Sequence, residues 1–159
     1  MKALVLYYSY SGNTREVAQH IGQSLGCDIA EIEPIVAYSD DYSEVVEQGK
    51  REIQGGYAPQ IKPLAHDPAD YDTIILGTPV WWYTFARPVH TVLSVADWQG
   101  KRLYPFATHA GWLGETLENI GEAASGAVTK PGMSIRYDAD TLLTPWDAID
   151  QWIERIRQG

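Results

Sequence analysis

The sequence predicts a three-layer α/β fold: a doubly wound sheet of five parallel strands with helices on both faces, formed as one domain over residues 1–159. Three observations predict it. Short unbroken apolar runs such as residues 3–8 fit strands buried on both faces. These runs alternate with stretches whose apolar residues recur at helical spacing. The 159 residues, 45% apolar and 21% charged, suit one globular domain with a full core.

The elements follow in order. Residues 2–8 read as the first strand. Beyond a polar turn, Val17, Ala18, Ile21 and Leu25 fall on one helical face and Gly26 supplies the stop. Residues 28–33 make the second strand, ended by Pro34. Asp40 and Asp41 offer caps for a helix whose stripe, Tyr42, Val45, Val46, Gly49 and Ile53, is expected to be buried. Glu47 and Arg51 lie four apart on its wet side, Gly55-Gly56 ends it, and residues 57–70, with three prolines, form a loop.

Residues 73–77 are the third strand, and Pro88 suits the first turn of a helix carrying Val89, Val92, Leu93 and Ala96. Residues 103–108 form a fourth strand in which Pro105, lacking a donor, argues against a central position. Leu117, Ile120 and Ala124 mark the next helix. A weaker fifth strand over 128–137 is broken by Pro131-Gly132. Thr144 as cap, Pro145 at the first position and Asp147 at the third open the last helix, whose stripe is Trp146, Ile149, Trp152, Ile153 and Ile156.

Composition narrows the function. With 21 acidic and 12 basic residues the net charge is −9, a surface that phosphate backbones repel, so no nucleic acid is expected as partner. The run 3–8 is far short of the ~20 apolar residues of a membrane span, and no cleavage site follows it, so neither a membrane nor a secretory path is expected. One cysteine, Cys27, forms no internal disulfide, and His20, His66 and His90 show no metal spacing. A cytoplasmic protein is expected. Six Trp and ten Tyr against two Phe point to flat faces beside a planar, partly polar ligand.

In such sheets ligands sit beyond the carboxyl ends of the strands. Three loops lie there: 9–14, 78–83 and 108–114. Loop 9–14 runs into a helix N-terminus, where free amides and the dipole suit a phosphate. Ser9, Ser11 and Thr14 add hydroxyls, Asn13 an amide, and Gly12 permits close approach of the backbone. The Walker and Gly-x-Gly-x-x-Gly patterns are both missing, leaving a terminal monophosphate held without lysine. Arg15 is better placed on a solvated helix face. Loop 78–83 offers the rings of Trp81, Trp82 and Tyr83 and the backbone around Val80. It has no glycine, and Pro79 and Val80 stiffen it, so a backbone reversal there is costly. In loop 108–114, Thr108 and amides near Ala110 and Gly111 can meet the polar edge of a ring. His109 is a candidate proton donor beside it, although a structural histidine is the commoner case. Tyr38 and Tyr42 suit packing or an overhang of the site.

Ser9-Tyr10-Ser11-Gly12-Asn13-Thr14, after an N-terminal apolar strand, resembles the phosphate loop of flavodoxins, Ser/Thr-x-Thr/Ser-Gly-Asn-Thr. The order and spacing of all three loops extend the resemblance over nearly the whole chain. It implies strand order 2-1-3-4-5 and FMN as cofactor. Thr78-Pro79-Val80-Trp81-Trp82-Tyr83 looks like the first flavin-holding loop. Thr108-His109-Ala110-Gly111-Trp112 looks like the third, with Trp112 where small residues are common. The implied function is electron transfer between redox partner proteins, which would meet this acidic surface with basic docking patches. The alternatives are a flavin-dependent NAD(P)H oxidoreductase acting on quinones or similar small acceptors, and a nonredox module for phosphorylated ligands. No catalytic residue and no metal ligand is assigned.

Overall fold

A computed structural model describes all residues 1–159. The strands are β1 (Ala3–Tyr7), β2 (Asp28–Glu31), β3 (Thr73–Trp81), β4 (Thr84–Phe85), β5 (Arg102–His109), β6 (Val128–Thr129), β7 (Met133–Asp138) and β8 (Thr141–Leu142). The helices are α1 (Asn13–Leu25), α2 (Tyr42–Gln54), α3 (Arg87–Val95), α4 (Thr116–Ala123) and α5 (Trp146–Gln158). The sheet runs β2-β1-β3-β5-β7-β8. Its five principal strands are parallel, in the order 2-1-3-4-5. β4 and β8 are short antiparallel additions to β3 and β7.

Period-two alternation divides the buried side chains between two layers. Val5, Tyr7, Ile75, Phe106 and Ile135 face α1 and α5, meeting Val17, Ile21, Ile149, Trp152 and Ile156. Leu4, Leu6, Ile74, Leu76 and Leu103 face α3 and α4, meeting Val89, Val92, Leu93 and Ile120. No helix is long and apolar enough to cross a membrane.

Four expectations change. Pro105 is central after all, paired with Leu76 in β3. On its other side the carbonyl of Leu103 accepts from the Lys130 amide at 2.8 Å, and Pro105, two residues on, faces the same edge. Its missing donor therefore points at the break between β6 and β7, where Pro131 and Gly132 interrupt the fifth strand. A Cβ on Gly132 would lie 2.6 Å from the Pro105 carbonyl oxygen. The two irregularities are one feature.

Thr144 does not cap α5. Pro145 occupies the N-cap, and the Thr144 hydroxyl accepts instead from the Arg136 amide at 2.8 Å, pinning the β7–β8 hairpin. β3 extends to Trp81 rather than ending near Gly77. It turns back into β4 through Trp82 and Tyr83, with φ of 49° and 68°. Two-residue hairpins favour positive φ at both positions and normally use Asn-Gly. Here two aromatic residues adopt it, at a cost of about 1–2 kcal/mol each.

The fourth change concerns α2. Asp41 caps it, accepting from the Glu44 amide at 3.2 Å. Of its apolar stripe only Val45 and Gly49 are buried; Tyr42 is exposed. The helix stands beside the end of β3 rather than lying on the sheet. It belongs to an excursion closed at its base by the Pro34–Ile61 bridge, with Ile35 donating to the Gln60 carbonyl at 2.9 Å and Lys62 to that of Glu33 at 2.8 Å.

Candidate functional site

A cavity of about 1020 Å³ opens at the carboxyl ends of β1, β3 and β5. Tyr10, Ser11 and Asn13 come to it from the first loop, and Pro79 to Tyr83 from the second. Thr108 to Trp112 come from the third. The three predicted loops therefore share one cavity.

At one end the chain leaves β1 and enters α1. Ser9 Oγ accepts from the amides of Gly12 (3.1 Å) and Arg15 (3.2 Å), folding the loop on itself, with Gly12 at φ 100°. The amides of Tyr10, Ser11, Asn13 and Thr14 donate to no protein atom. They form a cradle of free N–H groups at the positive end of a thirteen-residue helix. Asn13 Nδ2 donates to the Ala139 carbonyl at 2.8 Å, which fastens the cradle to the β7–β8 turn. Arg15 takes no part. Its guanidinium pairs with Glu31 through Nε at 2.8 Å and Nη2 at 3.1 Å, and Tyr7 donates to the same carboxylate.

Four of the predicted residues do not line the cavity. Ser9 and Gly12 shape the loop behind it. Thr14 is buried with its hydroxyl 2.7 Å from that of Thr108. Thr78 Oγ1 accepts from the Ala86 amide at 3.0 Å and donates to the Pro79 carbonyl at 2.8 Å, so its hydroxyl is spent on the hairpin. Ser9, Gly12 and Thr78 shape the backbone around the cavity, and Thr14 buries its hydroxyl while its amide stays free.

The second loop builds an aromatic wall. Trp81 packs inward, its ring edge-on to Tyr38 (5.0 Å between centroids), Tyr8 (5.6 Å) and Tyr10 (6.2 Å). Trp82 turns to α2: Nε1 donates to the Val46 carbonyl at 2.7 Å, and the Lys50 ammonium lies 5.2 Å from the ring centre. Tyr83 meets Trp112 edge-on at 5.9 Å, and its carbonyl accepts from the Glu115 amide at 3.1 Å. The loop thus turns through two left-handed residues without a glycine, held by these contacts.

His109 is held through both ring nitrogens. Its Nδ1 accepts from the Gly111 amide at 3.0 Å, which puts the ring proton on Nε2, 2.7 Å from Ser134 Oγ. Burial, then the Arg136 charge, lower its pKa from the ordinary histidine value. A neutral ring with both nitrogens engaged fixes the shape of the loop.

Apart from Tyr42, two walls escaped the sequence reading. Val45, Val46 and Gly49 of α2, with Tyr42, close one side; Tyr137, Ala139 and Asp140 of the β7–β8 hairpin close another. The α2 stripe was visible in the sequence, and Asp138-Ala139-Asp140 carries a turn signal. Tyr137 donates to Glu16 Oε1 at 2.6 Å, tying β7 to the first turn of α1. Asp140 is the one charged residue on the lining, which holds no lysine or arginine. No cluster of His, Cys, Asp and Glu is arranged for a metal ion.

A sequence profile described as flavodoxin matches residues 2–156. The chain belongs to the flavodoxin family. A flavoprotein from Lactobacillus acidophilus NCFM, solved in complex with FMN, is similar to this flavodoxin-family chain with a TM-score of 0.75 and 27% identity, over 84% of this chain and 92% of that one. A flavoprotein of Bacteroides eggerthii gives a TM-score of 0.79 and 25% identity over 98% of each chain. One from Bacteroides uniformis gives 0.81 and 24% over 96% and 97%. No curated protein matches the chain. The flavodoxin relationship accounts for the shared position of the three loops at one end of the sheet.

Proposed function

We propose that this flavodoxin-family protein holds FMN in the cavity and passes electrons between protein partners. One observation carries the cofactor: four unpaired amides at a helix N-terminus, three of them on residues that line the cavity, lie at one end of a space walled by aromatic rings. Unpaired N–H groups at a positive helix end fit a phosphate monoester, and the wall fits a flat ring system. The FMN-bound relative from Lactobacillus acidophilus supports the same reading. When bound, FMN supplies the electron transfer; the chain supplies position and electrostatics.

Tyr10, Ser11, Asn13 and Thr14 hold the phosphate through their amides. Trp82 and Tyr83, set by the hairpin, and Trp112 border the ring and exclude water. Thr108 and the Ala110 amide meet its polar edge, the Gly111 amide being already taken by His109 Nδ1. A lining without lysine or arginine, carrying Asp140, disfavours added negative charge and lowers the reduction potential. The net charge of −9 steers basic partner surfaces toward the protein.

The cavity volume favours one other reading. About 1020 Å³ lies at the upper end of the range for small-molecule sites. The room suits a small acceptor beside the cofactor, as in a flavin-dependent oxidoreductase acting on quinones.

One experiment separates the two. The purified protein is loaded with FMN, reduced anaerobically and mixed with a basic protein acceptor, cytochrome c, or with a neutral quinone. A carrier reduces the protein acceptor rapidly at low salt and more slowly as salt screens the charges. Faster, salt-independent reduction of the quinone overturns the carrier reading, and failure to bind FMN overturns both.

A further inference from the structure

Trp81 is the centre of a cluster that reaches from the cavity toward the base of α2. It lines the cavity, and three tyrosines stand edge-on around its indole: Tyr38 nearest at 5.0 Å, then Tyr8 and Tyr10. Tyr8 and Tyr38 also touch each other, with centroids 6.3 Å apart. Packing alone accounts for such contacts. It does not account for how differently the three hydroxyls are treated.

Tyr38 donates to Glu52 Oε1 at 2.6 Å, while Gln48 Nε2 donates to Oε2 of the same carboxylate at 2.9 Å. Tyr10 donates to the Ser39 carbonyl, a peptide oxygen that cannot keep a proton. Tyr8 makes no side-chain hydrogen bond to the protein. Indole and phenol are the side chains most readily oxidised by one electron, and an oxidised phenol becomes a strong acid. It persists as a neutral radical only where a base takes its proton. Among these tyrosines that condition holds at Tyr38.

We infer that Tyr38 is a redox-active tyrosine, supplying an electron through Trp81 to a photoexcited flavin in the cavity and releasing its phenolic proton to Glu52. The inference rests on the FMN reading above. The electrons and proton balance. The excited flavin is reduced by one electron taken from Trp81. The oxidised indole regains one from Tyr38. The phenolic O–H bond breaks as a new O–H bond forms on the Glu52 carboxylate, leaving a neutral tyrosyl radical beside a carboxylic acid. Return of the electron and the proton restores every group. Tyr38 and Glu52 are not on the cavity lining, so the oxidised site ends one residue behind the wall, away from the cofactor.

Transient absorption after a light pulse tests this on the FMN-loaded protein, whose yellow colour is established first. The native chain should show the tryptophan radical converting into the tyrosyl radical, and more slowly in D2O. Tyr38→Phe should lose the tyrosyl signal and leave the tryptophan radical standing. Glu52→Gln keeps a hydrogen-bond acceptor but no base, and should also lose the tyrosyl signal. Tyr8→Phe, in the same cluster but off the cavity lining and without a base, should match the native chain. A tyrosyl radical that survives Tyr38→Phe, or is unchanged in Glu52→Gln, overturns the inference while the yellow colour upholds the cofactor. A colourless protein overturns both.

Discussion

Asn13 and Ala139, 126 residues apart, are joined by a single hydrogen bond of 2.8 Å from the Asn13 amide to the Ala139 carbonyl. It fastens the N-terminus of α1 to the β7–β8 turn, where Ala139 itself has a φ of 52°. The cradle is thereby bounded on both sides of the sheet end, and its character depends on Asn13 being neutral and a donor.

Asn13→Asp puts a negative charge in the cradle and removes that donor. Binding of FMN should weaken by about tenfold or more, ~1.4 kcal/mol, while riboflavin, which lacks the phosphate, should lose much less. Fluorescence titration with both ligands checks it. Equal losses would place the phosphate elsewhere.

The neighbouring tryptophans should respond differently to truncation. Trp81→Ala removes a half-buried ring packed among three tyrosines and should cost about 2–4 kcal/mol of stability. Trp82→Ala loses the bond to Val46 and the Lys50 contact, about 1 kcal/mol, with its larger effect on the cofactor. Urea unfolding without cofactor, followed by FMN titration, separates the two effects. Similar stability losses would contradict the inward packing of Trp81.

Tyr83→Gly should raise stability and lower affinity together. Glycine relieves the left-handed conformation by about 1 kcal/mol, a rise of roughly 2–4 °C in Tm, while removing a ring from the wall. Calorimetry beside FMN titration reads both; a lower Tm would show that the turn is unstrained.

Gly114 has a φ of 62°, and a Cβ there would sit 2.5 Å from the Tyr83 carbonyl oxygen. Gly114→Ala should therefore cost about 2–4 kcal/mol and separate the second loop from the third. Chemical denaturation checks the stability. Unaltered FMN affinity in this variant would show that the two loops bind independently.

Acid should weaken the fold through two histidines. Burial, then a neighbouring arginine, lowers the pKa of His109 (Arg136) and of His90 (Arg87). For a base whose folded pKa lies below its unfolded value, the unfolded chain takes the proton first. Stability is therefore undiminished by these groups above the unfolded value of about 6.5 and falls as pH drops through it, until the folded pKa is reached. His109→Gln should flatten part of that slope, measured by urea unfolding between pH 5 and 8. A slope unchanged from the native chain would count against a neutral His109.

The strands and the three loops were legible because runs buried on both faces and polar turns beside helix starts are local signals. Where two distant segments must be set side by side, the sequence was mute. Pro105 counted against a central strand until register placed it opposite Pro131 and Gly132. The stripe of α2 showed an apolar face, but periodicity does not say whether such a face meets a sheet or a cavity. Trp82 and Tyr83 break the composition rule for their turn, and contacts from α2 and from the third loop override it. His109 looked chemical because its partners, the Gly111 amide and Ser134, are visible only in three dimensions.

The excursion that carries α2 leaves and rejoins the body at the Pro34–Ile61 bridge. Because both ends meet at that neck, residues 35–60 can lengthen, shorten or be exchanged for a relative's segment without shifting the register of the parallel strands. One wall of the cavity is therefore carried on a segment hinged at a single neck and tied to the phosphate cradle by the Tyr10–Ser39 bond. A graft across the neck would have to carry with it the partners that Tyr10, Trp81 and Trp82 find in this segment.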